Sequence, residues 1–277
     1  MTFLLAPDAI SRFWEDGFIV LPRICPGSEL DWLCNVYDRL FAQRAGWNKG
    51  DFFDFAGPDT PEHEPVLPQL LEPSQYEPSL KNMVLRANAH AIARQLLGPS
   101  AKLVFEHAML KPARIGAATP WHQDAAFFPA FTDYESIAVW VPLQPVDASN
   151  GCLQFMPGSH KSGVLPHRRI NDDPRVHGLE LCETCIGEPV SCPLPAGAAT
   201  VHHCRTLHHA GPNVTEGPRR AYVFGFGVRS PKFRVRTEFP WNAARTSARD
   251  LRADAAQGRV QQYLRHLRQV VKKAVLG

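Results

Sequence analysis

The hexapeptide Ala138-Val139-Trp140-Val141-Pro142-Leu143 is typical of the part of the chain that decides the fold. It lies within a long stretch, Lys102 to Val228, in which short β-branched and aromatic runs are separated by Pro and Gly turns. Strands that follow one another in this way predict antiparallel sheets, whereas strands alternating with helices would predict a parallel sheet. The stretch therefore predicts a mainly β fold, a sandwich or a jelly roll.

Helical periodicity replaces this pattern toward the N-terminus. The expected elements are a short helix from Asp8 to Asp16, a strand from Phe18 to Leu21, and helices from Ser28 to about Arg44 and from Leu80 to Leu97. Ser28 is the expected N-cap of the second helix. Residues 46–78, rich in Pro, Asp, Glu and aromatics, are expected to form an irregular loop region, the kind that often carries substrate contacts.

The C-terminal segment 245–277 is basic, with eight Lys or Arg against two Asp. Its apolar residues recur at helical spacing, at Val260, Leu264, Leu267, Val271 and Ala274. We expect an amphipathic helix packed on the core with a solvated basic face. A helix that binds a partner, or a surface that attracts anionic ligands, remains open as an alternative.

Three residues in the β-rich stretch have the spacing of a metal site. His122 and Asp124 are two residues apart, so in a strand both side chains face the same way. The second histidine, His208, lies 86 positions further on and must come from another strand. Two histidines and one carboxylate form the facial triad that holds Fe(II) in non-haem oxygenases. A lone His-x-Asp would more often be a surface motif, but the combination with His208 and Arg219, eleven residues later, favours a metal site.

The chain also resembles the phytanoyl-CoA dioxygenases and their relatives over about Asp8 to Gly227. The segments that carry the resemblance are Asp16 to Pro22, His107 to Pro112, His122 to Asp124 with Phe127 to Pro129, Ala138 to Leu143, Asn150 to Leu153, and Phe155 to Lys161 with its Pro-Gly-Ser-His turn. Members of this family use Fe(II) and 2-oxoglutarate. The resemblance implies a double-stranded β-helix core, that is, a cupin-like jelly roll with flanking N- and C-terminal helices.

Residue roles also follow from the resemblance. It implies His122, Asp124 and His208 as iron ligands, Arg219 as the partner of the distal carboxylate of 2-oxoglutarate, and Trp140 as an aromatic beside the co-substrate. The implied reaction consumes 2-oxoglutarate and O2, releases succinate and CO2, and hydroxylates a C–H bond. The family usually has a hydroxyl residue two positions after the distal histidine, where this chain has Ala210. One hydrogen bond to the co-substrate is therefore missing or comes from elsewhere.

Several further histidines lie near the motif. Because successive strand residues face opposite ways, His202 and His203 cannot both face the metal. We expect His203 to be structural or to orient the site through a hydrogen bond, His202 and His209 to be satisfied or exposed, and His160 to hold its turn. His107 is a core histidine or lines the substrate pocket.

The predicted substrate residues are His107, Lys111, Phe127 and Phe128, with Phe131 and Arg114 as further pocket candidates. We expect a small organic substrate, and the basic side chains among these residues would fit one that carries an anionic group. Two rival functions remain, a cupin-like metal enzyme that does not use 2-oxoglutarate and a non-catalytic binding protein on the same fold.

Composition sets the remaining expectations. A chain of 277 residues with 44% hydrophobic and 21% charged residues is an ordinary globular protein, and a net charge of +3 gives no reason to expect a nucleic-acid partner. We see neither a transmembrane segment nor a secretory signal and expect a cytoplasmic protein. One domain over 1–277 is expected, with a helical part (1–100), a jelly-roll core (101–230) and the C-terminal basic helix (245–277).

The seven cysteines show no framework spacing. Cys182, Cys185, Cys192 and His177 could be drawn as a zinc site, but the chain has one C-x-x-C pair, where structural zinc usually needs two paired spacings. Free thiols are the interpretation that we favour.

Overall fold

The computed structural model of the chain describes residues 3–129, 134–183, 187–229, 238–242 and 247–256. Its α-helices are α1 (Pro7–Asp16), α2 (Gly27–Ala42), α3 (Val84–Leu97) and α4 (Ala248–Ala256). The described residues include no helix long and apolar enough to span a bilayer.

The larger sheet has seven strands in the order β1-β11-β6-β13-β4-β3-β2, and every neighbouring pair is antiparallel. These strands are β1 (Phe18–Leu21), β2 (Phe52–Asp54), β3 (Pro68–Leu71), β4 (Lys102–Lys111), β6 (Tyr134–Pro142), β11 (Ala199–His203) and β13 (Arg219–Arg229).

The smaller sheet has four antiparallel strands in the order β10-β7-β12-β5. They are β5 (Thr119–His122), β7 (Leu153–Phe155), β10 (Val190–Cys192) and β12 (His208–Ala210), and a separate hairpin pairs β8 (His167–Arg169) with β9 (Leu179–Leu181). From β4 to β7 and from β10 to β13 the chain passes repeatedly from one sheet to the other, which is the topology of a jelly roll. The predicted fold class is confirmed.

The larger sheet is buried on both faces, because its residues alternate between two cores. In β6, Ile137, Val139 and Val141 pack with α2 and α3, whereas Ala138 and Trp140 face the smaller sheet. The helices thus cover one face of the sheet and leave the other for the interior of the jelly roll.

The start of α2 differs from the prediction. The residue before the helix is Pro26, and no side chain caps it, so Ser28 is not the N-cap. Glu29 instead accepts hydrogen bonds from the backbone N–H groups of Val84 (2.6 Å) and Leu85 (2.8 Å). This carboxylate therefore ties α2 to the first turn of α3, where N–H groups have no partner within the helix.

The expectation of an irregular loop over residues 46–78 is wrong in part, since β2 and β3 extend the larger sheet from within it. The fully buried Asp54 accepts hydrogen bonds from the backbone N–H groups of Ala56, Val66 and Leu67, at 2.9 to 3.2 Å. One buried carboxylate thus closes the connection between the two strands, a role that composition does not reveal.

The other expected helices agree with the structure except at their ends. The helix predicted from Leu80 begins at Val84 after a short 3-10 turn, Pro78–Asn82, and stops at Gly98. The described part of the C-terminal segment forms α4, while Val260 and the rest of the predicted amphipathic face lie outside the described residues. The single-domain division stays a prediction.

Candidate active site

Two neighbouring strands of the smaller sheet bring the predicted ligands together. His122 ends β5 and His208 begins β12, and the two residues are directly paired across the strands. Asp124 opens the 3-10 turn Asp124–Phe127 that follows β5. The turn replaces the continuous strand assumed from the His-x-Asp spacing but still directs both side chains to one point.

The three side chains surround a space of the size of a metal ion. Asp124 Oδ1 lies 3.5 Å from His208 Nε2 and 3.9 Å from His122 Nε2. Within the described residues, these three form the one group of His, Cys, Asp or Glu side chains whose ligand atoms all lie within 4.8 Å of one another.

The hydrogen bonds of both imidazoles fix the tautomer that a metal needs. His122 Nδ1 donates to the carbonyl of Pro120 (2.8 Å), and His208 Nδ1 donates to that of Thr206 (3.0 Å). Because a carbonyl only accepts, the proton is on Nδ1 and the lone pair of each Nε2 faces Asp124. Burial lowers the pKa of both histidines, which keeps them neutral. Two neutral imidazoles and a carboxylate fit Fe(II).

A fourth histidine orients the carboxylate. His202 Nε2 donates to Asp124 Oδ2 at 3.2 Å, and its ring centroid lies 4.4 Å from that of His208. Burial raises the pKa of Asp124, but His208, His202 and His122 outweigh it and hold that pKa below its usual range.

The sequence left His203 two roles, a structural one or the orientation of the metal site, and its hydrogen bond agrees with the structural one. His203 faces the other way, and its Nε2 bonds to Glu135 at 2.8 Å. The cross-strand register explains why His202 rather than His203 faces Asp124: His202 is paired with the inward-facing Ala138, and directly paired residues share a face of the sheet. Of the other histidines, His160 bonds to the carbonyl of Trp14 (3.2 Å), and His209 stacks on Trp121.

A cavity of about 270 Å³ opens beside the triad, between the two sheets. Arg219, Trp140, Thr119, Ala210 and Val223 line one end of it. Arg219 is 1% exposed, its guanidinium lies 5.5 Å from the centre of the Trp140 ring, and its Nε and Nη1 have no hydrogen-bond partner within the described residues. Burial lowers the pKa of Arg219 to about 10, so the group remains a cation at neutral pH. A buried cation with free donors fits the distal carboxylate of 2-oxoglutarate.

A hydroxyl group does stand near Ala210, on the neighbouring strand. Thr119 is the cross-strand partner of Ala210, is buried, and lines the same end of the cavity. Lys111 Nζ donates to its Oγ1 at 3.3 Å and also to the carbonyl of Ala117.

Lys111 itself corrects an expectation. It is fully buried outside the cavity lining, and burial together with the nearby Arg219 holds its pKa well below the usual value. It therefore supports Thr119 and is not in a position to contact substrate. Arg114 is also outside the lining and pairs with Glu216 at the surface, while Phe131 lies outside the described residues.

The other end of the cavity is aromatic. Three of the predicted substrate residues, His107, Phe127 and Phe128, line it. The prediction missed Phe53, Phe55, Gln69, Leu71, Phe105, Met109 and His177, which complete the wall. Phe53 and Phe55 lie in and just after β2, inside the segment expected to be a loop over the site, so the aromatic content of 46–78 was the available signal.

The zinc alternative finds no support among the described residues. His177 lines the cavity, Cys192 packs in the core between the two sheets, and Cys185 lies outside the described residues. None of the described members belongs to a group with metal-binding geometry.

Comparison with known proteins agrees with this geometry. The profile of the phytanoyl-CoA dioxygenase family matches residues 13–221, most of the chain. The chain belongs to the phytanoyl-CoA dioxygenase family. The family resemblance seen in the sequence is thereby confirmed.

Two curated proteins are similar to parts of this chain. A probable alpha-ketoglutarate-dependent hypophosphite dioxygenase of Stutzerimonas stutzeri is 30% identical over 59% of this chain and 58% of its own length. A probable phytanoyl-CoA dioxygenase of Caenorhabditis elegans is 31% identical over 47% of this chain and 45% of its own. The chain thus matches about half the length of these curated relatives.

A solved structure covers more. EvdO2 of Micromonospora carbonacea var. aurantiaca is 37% identical, with a TM-score of 0.75 over 87% of this chain and 98% of its own. The same protein has been solved in complex with 2-oxoglutarate, and that structure superimposes with a TM-score of 0.71.

Proposed function

We propose that the protein is an Fe(II)- and 2-oxoglutarate-dependent hydroxylase of a small organic substrate. The observation that carries the proposal is the arrangement of one cavity: a His-Asp-His triad, and a buried Arg219 whose Nε and Nη1 have no hydrogen-bond partner among the described residues. When bound, iron supplies the oxidising chemistry: 2-oxoglutarate and O2 give succinate and CO2, and one oxygen atom enters a C–H bond of the substrate.

The chain's own residues have three tasks in this reaction. Arg219 binds the distal carboxylate, and its planar guanidinium can make two parallel hydrogen bonds to it. His202 holds Asp124 so that Oδ1 faces the two imidazoles. The phenylalanines at the far end of the cavity exclude water and hold the substrate C–H bond near the metal.

Asp124 also bears on the outcome of the reaction. In related halogenases a small residue replaces the carboxylate so that a halide can bind, whereas this chain keeps the carboxylate. We therefore expect hydroxylated product even with chloride present, and a chlorinated product would contradict this assignment.

An anionic substrate, one option from the sequence, loses its support. Lys111 and Arg114 suggested an anionic substrate, but neither of them lines the cavity. Among the described residues, Arg219 is the one Lys or Arg that does.

The test is an anaerobic titration of the apo-protein with Fe(II) and then 2-oxoglutarate, followed by visible absorption. A weak charge-transfer band is expected, because 2-oxoglutarate chelates a facial-triad iron through two oxygens. His122→Ala should remove iron binding, and Arg219→Gln should weaken 2-oxoglutarate binding while iron still binds. Bound iron without the band would favour the cupin-like enzyme that needs no 2-oxoglutarate. Absence of iron binding in the unmodified protein would favour a binding protein.

A further inference from the structure

Among the polar side chains in the aromatic end of the cavity are Gln69 and His107, and the reaction chemistry uses neither. Gln69 and His107 both line it, on the neighbouring strands β3 and β4. Cross-strand pairs join Gln69 to Met109 and Leu71 to His107, and all four side chains line the cavity. Gln69 and His107 are therefore diagonal neighbours on one face of the sheet, within reach of one small ligand.

Gln69 is buried and His107 is half-buried, and neither side chain has a hydrogen-bond partner among the described residues. Gln69 is 3% exposed, and neither its amide nor the His107 imidazole bonds to any of the described residues. A buried amide without a partner costs free energy, so native proteins usually satisfy it with protein, water or ligand. Since both groups face the cavity, the missing partner belongs to whatever fills it.

The groups are neutral, and each both donates and accepts. Burial lowers the pKa of His107 to about 4, so its ring is an uncharged imidazole with one N–H and one lone pair at neutral pH. The amide of Gln69 offers an NH2 and a carbonyl. A hydroxyl, which also donates and accepts, can bond to both.

Apart from His177, the rest of this end is lined by apolar side chains, most of them aromatic. Phe55 and Phe127 have ring centroids 5.9 Å apart, and Phe53 lies 5.0 Å from the ring of His177. Arg249 lies over Phe53, with its guanidinium 5.0 Å from the ring centre, but it is not part of the lining. A carboxylate or phosphate here would lose its hydration without gaining a cation in the wall.

We propose that the substrate is an uncharged ring system that carries a hydroxyl, with Gln69 and His107 binding the hydroxyl and the phenylalanines packing on the ring. This inference rests on the proposed function and names the substrate class of the same site. Gln69 and His107 then determine specificity.

The experiment uses three naphthalene probes that differ in one group. 2-Naphthol, naphthalene and 2-naphthoate are titrated calorimetrically into the anaerobic Fe(II)·2-oxoglutarate complex after its charge-transfer band has been recorded. We expect 2-naphthol to bind about a hundredfold more tightly than naphthalene, about tenfold for each of the two hydrogen bonds to its hydroxyl. 2-Naphthoate should bind more weakly than both.

Variants separate recognition from loss of packing. Gln69→Leu and His107→Leu should each weaken 2-naphthol about tenfold and leave naphthalene unchanged, because each removes one hydrogen bond and keeps an apolar wall. Gln75→Leu, the same substitution at a nearby exposed position, is the matched control and should change neither affinity.

The results distinguish the two levels of the proposal. If the band does not form, the proposed function fails. If it forms but 2-naphthol does not bind, or 2-naphthoate binds as tightly, the substrate class is wrong and the proposed function stands. Equal loss of 2-naphthol and naphthalene in the Leu variants would overturn the role of Gln69 and His107.

Discussion

At the scale of single residues, the site depends on hydrogen bonds behind the groups that would touch iron and co-substrate. The carbonyls of Pro120 and Thr206 orient the two imidazoles, His202 orients Asp124, and Lys111 orients Thr119, each through a hydrogen bond. Such supporting bonds typically change metal affinity or activity when they are removed.

His202→Phe is expected to lower Fe(II) affinity about ten- to hundredfold. A phenyl ring keeps the packing on Phe155, whose centroid lies 5.2 Å away, but cannot donate to Asp124. Anaerobic equilibrium binding of Fe(II) measures the effect. His202→Gln, which can still donate, should recover much of the affinity, and His209→Phe is the control on the neighbouring strand. Unchanged affinity in His202→Phe would show that Asp124 needs no support.

Thr119→Val is expected to raise the dissociation constant of 2-oxoglutarate about tenfold and to leave iron binding unchanged. The Thr119 hydroxyl accepts from Lys111, so its own proton is free for the carboxylate that Arg219 binds. The charge-transfer band, followed against 2-oxoglutarate concentration, gives the constant. Thr119→Ser should behave like the unmodified protein, and a normal constant in the Val variant would mean that the hydroxyl absent at Ala210 has no substitute here.

At the scale of elements, the turn after β5 is held in place by a histidine of the β8–β9 hairpin. His167 Nε2 accepts from the backbone N–H of Gln123 at 3.2 Å, and its Nδ1 donates to the carbonyl of Leu165 at 2.7 Å. Gln123 lies between two metal ligands and also donates to the carbonyls of Gly163 and Arg205. The hairpin therefore holds the turn on which Asp124 stands.

Acid is expected to destabilise the apo-protein through this contact. Burial lowers the pKa of His167 from 6.5 to about 4, so the unfolded chain binds the proton more tightly than the folded one. The stabilising contribution is complete above pH 6.5 and decreases as the pH falls toward 4. Denaturant unfolding between pH 7.5 and 4.5 (roughly the window set by that shift) measures it. His167→Gln should show a shallower dependence on pH in this window; an identical slope would assign the effect to other groups.

At the scale of the whole molecule, α4 packs on the segment around β2, behind the aromatic end of the cavity. Arg252 of α4 donates to the carbonyls of Trp47, Phe52 and Asp59 and to the Asp59 carboxylate, and its guanidinium lies 3.7 Å from the centre of the Trp47 ring. The described part of the basic segment thus packs on the core through a basic side chain, whereas Leu251 is exposed. The apolar positions of the predicted helix, from Val260 on, lie outside the described residues, so the predicted solvated basic face stays untested. Beyond α4 the alternative of a partner helix stays open.

Arg252→Ala is expected to lower the free energy of unfolding by about 3 kcal/mol, since it leaves the buried Asp59 carboxylate without its cation. Urea denaturation measures the loss. Arg12→Ala removes an exposed i,i+4 pair with Asp8 and should change the free energy by less than about 0.5 kcal/mol. A loss as small as that of the control would show that α4 docks without this ion pair. Weaker binding of 2-naphthol to Arg252→Ala would show that α4 also supports the part of the cavity wall that Phe53 forms.

The sequence by itself determined the class of fold, the family and the residues of the triad, because the pattern of strands and the types of ligand residue can be read directly along the chain. Strand alternation predicted that His122 and Asp124 face one point, and the 3-10 turn that begins at Asp124 keeps both side chains there. What only the tertiary structure decided depends on cross-strand register and on distant contacts. Register turned His202 rather than His203 toward Asp124 and set Thr119 opposite Ala210. Burial removed Lys111 from the cavity, and β2 and β3, held by Asp54, brought Gln69 and Phe53 into it. Spacing along the chain cannot supply these facts, because each one arises where segments far apart in sequence pack against each other.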